Sequence, residues 1–408
     1  MNFDLVIFTF ATGFDTTTPM NTVRIPLYRA LARELKGKGK VLVVLHYLSI
    51  IPDALSSPYS SLKFLIKSAL QQKTRNLFIY KPLLLLPLGA LEKYPSLMKA
   101  MKLLLGWQLR MATRKIEMQN SYRVVMVNDP FHHHLFGLVK ESLAVYDCLD
   151  EYSLYGRSDQ PSSEVLADER QLTQKAHLVF TTSNILYEKM RAQHNDVFLI
   201  PNAVDFDFFN QAMGADTHIA PALEKIPNPR IGFMGNLTFW YNFEFLYQLI
   251  KRRPNWNFVF IGWVTPYPSC AKAIRTIQEM PNTYFLGRQE FANLPSFLKG
   301  FDAAIMPYQT TGAGPTVNPD KMYQYMAAGV PIVATPTPEI AQFSNVIEVA
   351  SSIEDFIRAL ERCLYCGNSN RIAQQIAIAQ NETWAKRANL QVKLFEKYLK
   401  INRKVVWE

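Results

Sequence analysis

PYQTTGAGPTVNPDKMYQYMAAGVPIVAT, residues 307–335, carries the pattern that decides the fold. An apolar strand ends at Pro307, and a loop holding Gly312 and Gly314 follows. Asn318-Pro319-Asp320 then reads as an N-cap, a proline at the first helical position and an acidic residue in the first turn. The predicted helix stops before Gly329, whose lack of a Cβ suits a left-handed C-terminal turn, and PIVAT (331–335) starts the next strand. Strand, loop, helix and strand in this order make a βαβ unit of a parallel sheet. A glycine loop feeding a helix start offers free N–H groups and a positive dipole end to an anion. Lys321, one turn inside, adds full charge, so a diphosphate is the expected ligand.

The same alternation runs outward in both directions. Upstream, RIGFMGN (230–236), NFVFIG (257–262), NTYFLG (282–287) and AAIMPY (303–308) read as strands separated by helical stretches over 241–251, 270–280 and 293–299. Nearer the N-terminus, DLVIFTF (4–10), VLVVLHYL (41–48), RVVMVN (123–128), LAVYDCL (143–149), AHLVFTTS (176–183) and VFLIPN (197–202) form a second series, with a helix over 23–35 after the first strand. A polar, Pro-containing run from 202 to 228 separates the two series. With 408 residues, the expectation is an α/β protein of two doubly wound, Rossmann-like domains, 1–205 and 206–382, facing a central cleft where the strand carboxyl ends meet. Residues 383–408 follow, with helical apolar spacing at Trp384, Ala388, Val392, Phe395 and Leu399, and are expected to pack back across both domains.

Composition narrows the function class. Hydrophobic residues are 49% and charged residues 19%, which excludes disordered, fibrous and repeat chains. Four cysteines at irregular spacing do not make a disulfide framework and fit a reducing compartment; Cys363 and Cys366 lie on a predicted helix and read as core packing. MNFDLVIFTF lacks a basic n-region and reads as a buried strand rather than a signal peptide, and no apolar run is long enough to span a bilayer. The net charge of +10 is concentrated: residues 59–115 hold eleven Lys or Arg and only Glu92 as an acid, leaving the remainder formally neutral. That segment is also rich in Leu, Met, Phe and Trp, the composition of basic amphipathic elements that bind anionic membrane surfaces. Nucleic acid is set aside, because the aromatics are not interleaved as stacking platforms. The expected location is the cytoplasm, peripheral at the inner face of the cell membrane.

The segment 307–335 resembles the donor-binding region of GT-B glycosyltransferases, specifically the retaining glycogen-synthase-like group (glycosyltransferase family 4 type). Ile200-Pro201-Asn202-Ala203-Val204-Asp205 with Phe209 resembles that group's hinge motif, and Phe233-Met234-Gly235-Asn236 its glycine turn. Trp384 opens a helix like its closing element, and Tyr146-Asp147-Cys148-Leu149-Asp150-Glu151-Tyr152 resembles a segment of bacterial envelope-polysaccharide transferases. The resemblance implies transfer of a sugar from a nucleotide-sugar donor, UDP- or GDP-linked, to a glycan or lipid-linked acceptor, with retention, in cell-envelope polysaccharide biosynthesis. It implies no cofactor and no required metal. The group's two glutamates, spaced eight apart, fall on Thr316 and Gln324, and its diphosphate-neutralising Arg and Lys are replaced by Asn236 and by Tyr241 or Asn242. A nucleotide-sugar-binding scaffold subunit and a sugar-nucleotide epimerase with a cleft of the same shape are the alternatives.

Candidate residues follow from strand ends and from the resemblance. On the donor side they are Gly235, Asn236, Arg288, Gly312, Gly314, Asn318, Lys321 and Gln324. For contact with the reacting sugar they are Asp150, Asp129 and His132, and for the acceptor Gly13, Thr16 and Asp147. His132, His133 and His134 are adjacent and cannot all point one way, so they read as a surface turn rather than a metal site.

Overall fold

Short runs of Val, Ile, Leu and Phe, buried on both faces, build two parallel sheets, as parallel strands require when helices cover each side. The computed structural model describes residues 1–9, 24–45, 48–49, 70–84, 94–120, 122–155, 160–265, 267, 270–367 and 369–405. In the first sheet the order is Val197–Leu199, Leu178–Thr181, Leu143–Cys148, Arg123–Val127, Asp4–Phe8, Val41–Val44, Leu77–Tyr80 and Leu70–Gln72. All neighbours are parallel except the last pair. Alternate residues serve opposite faces: Leu5, Val41 and Val124 enter one apolar core, Val6, Leu42 and Val125 the other.

The second sheet runs Thr283–Phe285, Asn257–Ile261, Arg230–Met234, Ala303–Met306, Ile332–Ala334 and Glu348–Val349, all parallel. In chain order this is 3-2-1-4-5-6, so the direction of winding reverses between Arg230–Met234 and Ala303–Met306. The corresponding reversal in the first sheet lies between Asp4–Phe8 and Arg123–Val127. Ligands of doubly wound sheets sit outside the strand carboxyl ends at these two points.

Three expectations need correction. The basic segment is not all surface: Leu77–Tyr80 is a buried strand beside Val41–Val44, and Leu70–Gln72 lies antiparallel to it. Four apolar residues between lysines carry no periodicity that separates a strand from a helix. Only Cys363 packs into the core, from the Ile353–Tyr365 helix, while Cys366 lies just past the helix end and is exposed. The C-terminal helix, Trp384–Val405, does not spread its apolar face over both domains. Trp384, Ala388, Val392, Phe395 and Leu399 all join the first domain's core, against the Ile25–Glu34 helix. Just before and within the first turn of Trp384–Val405, Thr383 bridges Val204, and the Arg387 guanidinium donates to the Pro201 carbonyl. Residues 59–69 and 85–93 of the basic segment, and Gly13 and Thr16, lie outside the described residues.

Candidate active site

At the second domain's reversal point, strand Arg230–Met234 ends in Gly235, with φ +142°, and Asn257–Ile261 ends in Gly262, with φ +132°. A Cβ on Gly262 would lie 2.0 Å from the Gly235 carbonyl oxygen, so the two turns approach as only glycine allows. The Asp320–Ala327 helix then lays Lys321 over the first turn, where a Cβ on Gly235 would come within 2.9 Å of its Cε. Its Nζ donates to the Tyr308 hydroxyl at 3.0 Å and stands 5.7 Å and 5.5 Å from the ring centres of Tyr241 and Tyr308. Burial works against the ammonium, yet Tyr241, Tyr308 and Asp320 outweigh it and hold the pKa well above the ordinary lysine value. A fixed positive charge therefore stands at the mouth of the sheet.

Opposite it, the first domain presents Asp150, at the carboxyl end of strand Leu143–Cys148. Burial pushes its carboxyl up to about 6, opposed by the hydrogen bond that Tyr155 donates at 2.8 Å and by the charge of Arg24. Asp150 also feels Asp320 and Lys321 from across the cleft. Its loop is braced by Lys189, which donates to Glu151 at 2.7 and 2.8 Å and pairs with buried Glu169 at 2.6 Å. Tyr155 closes the gap by packing against Phe239 and Trp240 of the second domain, with ring centres 5.9 and 5.6 Å apart.

The other candidates divide between reaction cleft and scaffold. Asp129 and His132 form a buried pair, with Oδ2 and Nδ1 2.8 Å apart. Asp147 is buried, accepts from Asn128 Nδ2 at 3.3 Å and lies 3.8 Å from the Arg24 guanidinium. The three histidines are not the expected surface turn: they lie on the short Pro130–Leu135 helical turn with His132 and His134 buried, His133 turns to the Pro130 carbonyl and Asp168, and burial and its charged neighbours push His134 down to about 2. Asn236 is tied to Thr265 at 2.9 Å, and Arg288 lies over the Trp263 ring at 6.0 Å, two strands away from the reversal point. Gly312 has φ +64°, and a Cβ on Gly314 would strike the Gln309 carbonyl oxygen at 1.9 Å, so both glycines are required by the loop's own path.

Asn318 is not the helix cap. Pro319 occupies that position, and the Asn318 side chain accepts from the Asn202 amide at 2.9 Å and donates to Glu339 at 3.0 Å. Glu339, buried, also accepts two hydrogen bonds from Asn184 of the first domain. Thr316 is likewise drawn into this seam: its hydroxyl donates to Ala313 O at 2.8 Å and its carbonyl accepts from Ser183 at 2.7 Å. Gln324 donates to Asp320 at 2.9 Å. The expected donor loop is thus also the contact that joins the domains. Sequence reasoning missed Arg24, Asn128, Tyr155, Tyr308 and Glu339: Tyr155 lies five residues from Asp150 with no spacing signal to mark it, and the partners of the others lie 13 or more residues along the chain.

Two parallel-sheet domains facing one cleft, with glycine turns and a lysine at one reversal point, define the class: the chain has the GT-B fold of glycosyltransferases, and its residues 228–365 match the model of the family described as Glycosyl transferases group 1. Among similar sequences is the Bacillus subtilis (strain 168) chain TuaH, which carries the name of a teichuronic acid biosynthesis glycosyltransferase. It is 26% identical over 259 residues, 59% of this chain and 63% of TuaH, so the match spans less than two thirds of that relative. Solved structures with the same fold include the sucrose-phosphate synthase of Thermosynechococcus elongatus, with TM-score 0.70 and 13% identity over 98% of this chain and 99% of that one. Anabaena HepE in complex with UDP-glucose gives TM-score 0.65 and 13% identity over 97% and 99%.

Proposed function

We propose that this chain is a glycosyltransferase that moves a sugar from a nucleotide donor, a UDP-sugar first, to a glycan or lipid-linked glycan in polysaccharide biosynthesis. One observation carries the reading: Lys321, held charged over the Gly235 turn, faces Asp150 across the interdomain cleft. An acceptor hydroxyl attacks the anomeric carbon while the bond to the donor's β-phosphate oxygen breaks, and the diphosphate leaves with the electron pair. Lys321 meets the negative charge that grows on the leaving group. Asp150 supplies the carboxylate that faces the positive charge developing at the anomeric carbon, a task Thr316 cannot perform with its hydroxyl turned to Ala313. The proton of the attacking hydroxyl passes to the departing phosphate, with attack and departure on one face and hence retention. The UDP preference is supported by the UDP-glucose in HepE, and the polysaccharide role by the name of TuaH.

The test is a thermal-shift and release screen of the purified chain against UDP-, GDP-, dTDP- and CMP-sugars. Stabilisation by a UDP-sugar, with UDP released once acceptor is added, is expected; no response to any nucleotide overturns the donor reading. Stabilisation without release or transfer supports a second reading, a nucleotide-sugar-binding scaffold, favoured by the internal hydrogen bonds of Thr316 and Gln324 where the group carries glutamates.

The acceptor reading extends to a membrane surface. The Pro95–Lys115 helix buries Met101, Leu105 and Leu109 and exposes Leu103, Trp107 and Met111 beside Arg110 and Arg114, an apolar stripe flanked by cations. Lys102 is partly buried and faces Lys175, so it does not belong to the stripe. No helix among the described residues is long and apolar enough to cross a membrane. Flotation with phosphatidylglycerol vesicles should fall at least about tenfold when Lys99, Arg110 and Arg114 become Gln, at about 1 kcal/mol per basic residue. Equal flotation of the variant would remove the membrane from the proposal.

A further inference from the structure

The first domain's reversal point holds a group of buried polar atoms that no described residue satisfies. Asn128 and Asp129 follow strand Arg123–Val127 directly, and Arg24 precedes the helix that returns from strand Asp4–Phe8, so all three stand at the carboxyl edge where the winding reverses. Arg24 is 8% exposed at its side chain, yet among the described residues neither Nη1 nor Nη2 has a hydrogen-bond partner. Asn128 Oδ1 and Asp129 Oδ1 are buried without one as well. Asp147 approaches the guanidinium to 3.8 Å, which balances charge but is too long for a hydrogen bond. The indole of Trp384 lies 5.4 Å from the guanidinium carbon and limits where its fork can turn.

Each such atom costs free energy while it is unsatisfied, and a native fold rarely leaves several together unless something binds there. The two orphaned acceptors call for hydroxyl donors, and the two orphaned guanidinium nitrogens call for an anion that accepts side by side. We infer that this crevice is the acceptor subsite and that it selects a polyhydroxylated molecule carrying a phosphate or a carboxylate, whose charge Arg24 binds while Asn128 and Asp129 accept from its hydroxyls. The inference rests on the glycosyltransferase reading and narrows its acceptor to an anionic sugar. Asp150, which feels the charge of Arg24, places the same crevice next to the reacting centre.

The experiment measures binding of glucose, glucose 6-phosphate and glucuronic acid to the full chain by calorimetry, in the presence and absence of saturating UDP. At least one anionic sugar should bind about tenfold or more tightly than glucose, the strength of one charge-assisted hydrogen bond. Preference for the phosphate or for the uronate then names the source of the anion. Arg24→Gln should reduce that sugar to the affinity of glucose, with UDP affinity, set in the other domain, as the control for folding. Equal binding of neutral and anionic sugars, binding of none, or a preference that survives Arg24→Gln overturns the inference. Should Arg24→Gln fail to fold, the comparison within the unmodified chain decides alone. A preference for anionic sugar without any UDP binding would instead refute the donor reading and leave this subsite standing.

Discussion

Lys321→Ala should lower kcat/KM for the nucleotide sugar by about 10²- to 10³-fold, the loss typical of removing one preorganised donor to a developing negative charge. The size follows from geometry. Among the described cations, Arg288 lies over Trp263, Lys189 is paired with Glu151 and Glu169, and Arg24 belongs to the first domain's reversal point. Asn236, where the resembling group has a cation, accepts from Thr265. Most of the charge opposite a leaving diphosphate therefore comes from one side chain. The fold should not suffer, because the substitution removes a buried ammonium and keeps the Tyr241–Tyr308 pair, whose hydroxyls lie 3.4 Å apart. Lys321→Arg should recover little, since the Cε already sits against Gly235 and a planar fork does not fit there. Steady-state kinetics and UDP affinity check this together; a variant with wild-type affinity and turnover would place the diphosphate elsewhere.

Asp150→Asn should separate activity from stability. The carboxyl's pKa in the fold, about 6, lies above its ordinary 3.8, so burial favours the protonated form. For an acid shifted upward, the folded state holds the proton more tightly than the unfolded state does. Stability from this group is therefore greatest at low pH and is lost as pH rises through roughly 4 to 6. Asparagine keeps an acceptor for the Tyr155 hydroxyl but never ionises, so Asp150→Asn should melt no lower than the wild type at pH 7–8, with any gain vanishing near pH 4. Activity should move the other way, falling by about 10²-fold, because the carboxylate is the useful form. In the wild type, kcat/KM should drop below about pH 6, and this limb should be missing from the variant's profile. A variant that keeps the acid limb, or loses no activity, would assign the reacting-centre carboxylate to Asp129 instead.

How much of this was legible in the chain depends on distance along it. Strand ends such as Phe233-Met234-Gly235 and the 307–335 unit declare themselves, because apolar runs, glycine turns and helix starts are written in neighbouring residues. Asp150 and Lys321 were singled out by position at such ends. Their pairing was not, since 170 residues of chain separate them and only the facing of the two sheets brings their charges within range. Asn318 shows the opposite error. Its local setting has every mark of a helix cap, yet buried Glu339 and Asn202, one of them from a distant helix, compete successfully for its side chain. A hydrogen bond that satisfies a buried carboxylate outweighs one at a helix start that solvent can also serve.

The amino-acid sequence by itself determined the two-domain α/β architecture, the basic segment and the residues at strand ends, because each rests on periodicity or on backbone freedom within a few residues. Only the tertiary structure decided that Lys321 rests on Gly235 beneath Tyr308, that the donor loop is also the seam between domains, and that Arg24 and its orphaned neighbours share one crevice. Those facts depend on which buried polar atoms meet when distant elements pack, and burial is a property of the assembled fold rather than of any stretch of chain.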